Sequence, residues 1–139
     1  MKKIITTLII FVFISCNTTA VPLVIEEIPN VPKNIEIILT TNAPSFDEIV
    51  VSYRDFDIQD DLYGPRRFTY DSSGNPEPMI ISFPEYIYKE IIGNAYRNND
   101  LPYSLKAQIF IDEELVFEVE SIGSPGVYAT IFFDYTIDS

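Results

Sequence analysis

From residue 35 to residue 137 the side chains alternate between apolar and polar with a period of two, interrupted at short intervals by Gly, Pro, Asn and Ser. A helix repeats every 3.6 residues, so this pattern specifies strands with one face in a core. Ile35, Ile37 and Leu39 alternate with Glu36, Ile38 and Thr40, and Asn42-Ala43-Pro44-Ser45 ends the run. Ile49, Val51 and Tyr53 then alternate with Val50, Ser52 and Arg54, a β-branched stretch suited to a pleated surface. Strand character returns over residues 79–83, where Pro84 closes it. Leu105, Ala107, Ile109 and Ile111 lead into Asp112-Glu113-Glu114, and Leu115, Phe117 and Val119 lead out, which predicts a β-hairpin. Gly123-Ser124-Pro125-Gly126 reverses the chain into a last strand over residues 127–137, with Val127, Ala129, Ile131, Phe133, Tyr135 and Ile137 on its core side.

Two stretches are less regular. Over residues 85–98, Ile87, Ile91 and Ala95 fit a helical stripe, but the tyrosines and isoleucines favour strand, and Gly93 weakens a helix interior by about 1 kcal/mol. The expectation is strand. Residues 55–78 are rich in Asp and turn residues and leave room for only a short strand at 66–70. The sum is an all-β domain, an antiparallel immunoglobulin-like sandwich of about seven or eight strands.

The N-terminus has a different character. Lys2 and Lys3 precede an apolar run over residues 4–14, which at ~1.5 Å per residue covers only about half of a ~30 Å hydrocarbon core. It reads as the h-region of an export signal rather than a membrane span. Phe13-Ile14-Ser15-Cys16 resembles a bacterial lipobox, which makes Cys16, the one cysteine of the chain, the expected lipidation site. The expected organisation is a signal peptide over 1–15, a lipidated N-terminus and tether over 16–33, and a sandwich domain over 34–139. Pro22, Pro29 and Pro32 favour an extended tether, with residues 21–28 as an alternative edge strand.

Charge narrows the function. The chain carries 21 acidic against 9 basic residues, and loss of Lys2 and Lys3 with the signal takes the formal charge from −12 to −14. Nucleic acid and anionic headgroups both need clustered cations, so no nucleic-acid partner is expected, and membrane attachment falls to the acyl chains. With no His and no thiol left after lipidation, Ser-His-Asp, Cys-His and histidine-ligated zinc sites are excluded together. No cofactor and no catalytic activity are expected.

Two groups of side chains are candidate sites. Asp55, Asp57, Asp60 and Asp61 offer carboxylate oxygens to a hard cation such as Ca²⁺, without EF-hand spacing, and a solvated acidic loop is the plainer reading. Nine Tyr and no Trp suggest an aromatic platform for a glycan or a protein, with Tyr86 and Tyr88 as the leading pair because period two sets them on one face.

The C-terminal half carries a family likeness. Ala95-Tyr96-Arg97-Asn98, Ile109-Phe110-Ile111-Asp112, Leu115-Val116-Phe117-Glu118, Ser121-Ile122-Gly123 and Gly126-Val127-Tyr128-Ala129 together resemble the pattern of MmpS-like proteins. Small lipoproteins of Bacteroidota include sandwiches of this kind. The resemblance implies an anchored, exported sandwich, and an accessory role beside lipid-exporting transporters. Asp112-Glu113 stands where such domains carry Asp-Gly. The expected function is therefore a lipid-anchored envelope module that binds a protein partner or serves a structural or transport-accessory role; the alternative is a lipoprotein that binds a glycan or calcium. The first acids after Cys16 are Glu26 and Glu27, which points to the periplasmic face of the outer membrane, with the cell surface as the alternative.

Overall fold

The computed structural model describes residues 31–138, so Cys16, the signal segment and the tether as far as residue 30 lie outside the described residues. Eight strands follow in order: β1 (Lys33–Thr41), β2 (Glu48–Asp55), β3 (Asp60–Arg67), β4 (Met79–Tyr86), β5 (Glu90–Arg97), β6 (Ser104–Ile111), β7 (Glu114–Ile122) and β8 (Thr130–Thr136). They form two antiparallel four-stranded sheets, β4-β1-β6-β7 and β3-β2-β5-β8. This is the antiparallel β-sandwich expected from the alternation. Within a sheet, chain neighbours pair only in the β2–β3 and β6–β7 hairpins. The other connections cross between sheets, so both sheets close over one core.

That core is made of alternate residues on β1, β2, β5, β6 and β8. Ile35, Ile37, Leu39, Ile49, Val51, Ile91, Ala95, Leu105, Ala107, Ile109, Ile131 and Phe133 are all buried in one cluster. Gly93 belongs to the same inward set, and a Cβ there would lie 2.4 Å from the Phe133 ring, so the glycine that argued against a helix makes room for an aromatic ring.

Four boundaries differ from expectation, each for a local reason. Pro84 does not close β4: the strand is at a sheet edge, where a missing N–H is tolerated, and a register shift with Glu85 at φ 54° carries it to Tyr86. Instead of a short strand at 66–70, β3 occupies Asp60–Arg67 as the hairpin partner of β2. The last strand starts at Thr130, because residues 124–127 form a small closed turn that leaves Val127 exposed. In the β6–β7 ladder the register slips between Ile109 and Phe110 of β6, leaving Val116 as the extra residue on β7, so Leu115 sits opposite Phe110 and is exposed while Val116 packs on the core. The β6–β7 turn keeps the two-residue form: Asp112 and Glu113 both hold positive φ, 48° and 71°, the type I′ geometry for which glycine would be the easier second residue.

Candidate functional site

The four acidic residues at the β2–β3 turn do not converge. Asp55 Oδ1 accepts from the backbone N–H groups of Asp57 (3.0 Å) and Ile58 (3.4 Å), an Asx turn that starts the reversal. Asp57 accepts the Tyr88 hydroxyl at 2.8 Å, Asp60 accepts the N–H of Asp61, and Asp61 faces Arg54. Among the described residues no three His, Cys, Asp or Glu side chains are grouped to hold a metal ion.

Tyr86 and Tyr88 do not form a surface platform. Tyr86, at the end of β4, is buried, donates its hydroxyl to the Glu90 carbonyl and packs edge-on against Tyr88 and Phe56. Tyr88 stacks on Phe56 at 5.2 Å. Burial, with the neighbouring Tyr88, Asp55, Asp57 and Glu90, pushes the Tyr86 hydroxyl well above the ordinary tyrosine value. The pair closes the core at this end.

Exposed aromatic residues gather instead on the outer face of β3-β2-β5-β8. The register there sets Tyr63, Ser52, Asn94 and Phe132 in one row across the sheet, and Pro65, Val50, Tyr96 and Thr130 in the next. Tyr63 and Phe132 are 70% and 69% exposed at the two ends of their row. Tyr96 and Tyr128 lie parallel, within 7°, with ring centroids 6.5 Å apart, and the hydroxyls of Tyr63 and Tyr96 meet at 3.4 Å. That hydrogen bond, then desolvation and the charge each phenolate would feel from the others, holds the Tyr96 hydroxyl above its ordinary value. Val50 points outward on the same face yet is only 7% exposed, in register between Pro65 and Tyr96.

The middle of the first row is polar and open to water. Ser52 and Asn94 are half-buried neighbours in register, and among the described residues neither side chain has a hydrogen-bond partner. No charged residue occurs in either row; Asp61 and Arg54 begin the next. The outer face of the other sheet is built differently: Glu118 receives Lys106 at 2.8 Å and Gln108 at 2.7 Å, so its polar groups satisfy one another.

A second cluster lies beneath, and the sequence reasoning assigned it no role. Arg97, the last residue of β5, and Asp47, just before β2, are 0% and 1% exposed and joined by bonds of 2.8–3.0 Å. Arg97 also donates to the carbonyls of Leu101 and Tyr103 and sits over the Tyr103 ring, while Thr41 and Asn99 complete the shell of Asp47. Every buried side-chain nitrogen and oxygen among the described residues is satisfied, so this cluster is closed and structural rather than poised for chemistry. The sequence did hold a signal for it: Arg97 falls on the inward beat of Ile91, Gly93 and Ala95, where a charge needs a partner.

The sequence matches no protein-family model, and neither a curated protein nor a solved structure matches it. The likeness to MmpS-like proteins rests on the residues quoted for it.

Proposed function

We propose that the chain is exported, acylated on Cys16 and held at the periplasmic face of the outer membrane, where the sandwich is a non-catalytic binding module. Its contact surface is the outer face of β3-β2-β5-β8. A transport-accessory role, as the MmpS-like pattern implies, is one use of such a module. The observation that carries the reading is the composition of that face. In a chain with 22% charged residues, two adjacent cross-strand rows hold no charge and carry Tyr63, Tyr96 and Phe132. Exposed aromatic area without charge is costly to leave in water and marks contact surfaces. The anchor is supported by the basic start, the short apolar run and Ser15 before Cys16.

Two measurements test this. Cys16→Ala should abolish labelling by a clickable fatty acid and release the protein from the membrane fraction or block its processing; unchanged labelling refutes the anchor. Covalent footprinting should modify Tyr63 and Phe132 readily in the purified protein and much less in cells, each measured relative to the exposed ring of Phe46, which lies outside the two rows. Equal modification in both settings refutes the contact surface.

A further inference from the structure

We infer that the outer face of β3-β2-β5-β8 binds an uncharged polysaccharide chain, an assignment that rests on the contact surface proposed above and names its ligand class. The ligand class follows from where the polar groups sit. A protein–protein interface has a desolvated apolar centre and a polar rim. On this face the middle of one row is polar, with Ser52 and Asn94 between the exposed rings of Tyr63 and Phe132, while Val50 and Tyr96 fill the middle of the next. A flat protein surface or a second copy of this chain would bury the Asn94 amide and the Ser52 hydroxyl against apolar atoms, at the cost of their water hydrogen bonds.

A sugar chain meets both demands. Its ring C–H groups pack on the electron-rich faces of aromatic rings, and its hydroxyls both donate and accept, which suits an amide with two donors and an acceptor beside a hydroxyl. The Tyr63 and Tyr96 hydroxyls add a second polar pair next to the first.

Size and charge fix the class further. Tyr63 on β3 and Phe132 on β8 stand three strand spacings apart, about 14 Å. That is wider than one sugar ring, so the ligand is a chain rather than a monosaccharide. No cation lies in either row to pair with a uronate or sulfate, and the formal charge of −12 repels polyanions. The ligand is therefore neutral.

The test uses the full chain solubilised in detergent, run in native gels cast with neutral polysaccharides (β-glucan, starch, glucomannan, xylan, galactan) and with polygalacturonate as the anionic control. At least one neutral polymer should retard the protein, and polygalacturonate should not. Phe132→Ala and Asn94→Ala should each weaken that retardation by about tenfold or more, the worth of one ring contact or one well-made hydrogen bond, with the thermal midpoint unchanged. Lys106→Ala, on the other sheet, should leave it intact. Retardation by none of the neutral polymers overturns the inference, as does retardation that survives both face variants or is strongest in polygalacturonate. If Tyr63 and Phe132 are nevertheless protected in cells, the contact surface stands and its ligand is another macromolecule. If they are not, both readings fall.

Discussion

Breaking the buried Arg97–Asp47 pair should cost more stability than any exposed ion pair in the domain. Arg97→Met removes all three bonds to Asp47, made at 2.8–3.0 Å, and leaves the carboxylate with only Thr41 at 2.9 Å and Asn99 at 3.2 Å. It also strips the carbonyls of Leu101 and Tyr103 of the donor that reaches them at 2.9 and 3.1 Å. Removing one partner of a fully buried pair leaves an uncompensated charge and costs about 3–5 kcal/mol. Against a total stability of roughly 5–15 kcal/mol, that is a large share. In a domain of this size each kcal/mol moves the midpoint by about 4–8 °C, so thermal unfolding should drop by at least ~12 °C.

The control is Arg67→Met, which breaks the 3.0 Å contact with Glu48, where the arginine is exposed. It should cost about 1 kcal/mol or less. A double variant, Asp47→Leu with Arg97→Met, should be less destabilised than the two single losses added together, because no orphaned charge remains. Equal shifts for Arg97→Met and Arg67→Met, or strict additivity in the double variant, would show that burial does not make the Arg97–Asp47 pair special.

Three further outcomes follow from the same geometry. Ile131→Asp should unfold the domain, since it places an unpaired carboxylate where the side chain is 1% exposed, while Phe132→Asp, one residue along and facing out, should leave a cooperative unfolding transition by circular dichroism. Tyr86 is held above its ordinary value by burial, so it favours the fold fully below pH ~10 and loses that contribution as pH rises, because the unfolded chain ionises first. Urea midpoints measured between pH 9 and 11.5 should therefore fall, and Tyr86→Phe should flatten the decline. Glu113→Gly should raise stability by up to about 1 kcal/mol in urea titrations, because φ 71° strains a side-chain-bearing residue, and glycine's greater unfolded freedom offsets only part of the relief.

What the sequence reveals depends on whether a strand buries one face. β1, β2, β6 and β8 each bury an apolar set on one beat and set mostly polar residues on the other, with Ile38, Val50, Phe110 and Phe132 as exceptions, and alternation locates them. β3 buries nothing fully: all but one of its eight residues are exposed, so it has no hydrophobic period, and its pairing with β2 comes from the turn that Asp55 organises. The shared outward face expected of Tyr86 and Tyr88 fails for a related reason. Period two holds only within an unbroken strand, and β4 ends at Tyr86 after the register shift beside Pro84 and Glu85, so both rings turn onto Phe56. The outward beat of Phe132 and the inward beat of Arg97 were both present in the sequence. Their partners were not, since Asp47 is fifty residues from Arg97 and Tyr63 lies on the strand that shows no period.

The buried pair and the exposed face belong to one device, because alternation makes inward and outward residues neighbours in the chain. Arg97 faces in and Tyr96 faces out on the same strand end; Ala129 is buried and Tyr128 exposed at the entry to β8. The Arg97 N–H donates to the Ala129 carbonyl at 2.9 Å, which clamps these two backbone positions together and thereby sets the parallel rings of Tyr96 and Tyr128 side by side. A face whose rings are fixed before contact loses little conformational entropy when a ligand arrives, so affinity on this sheet depends on the rigidity of what lies beneath it. The clamp is a main-chain bond, so Arg97→Lys, which keeps it and loses only the guanidinium fork, should lower the thermal midpoint yet leave retardation by a neutral polysaccharide unchanged in the folded protein; weakened retardation there would show that the side chain also places the rings.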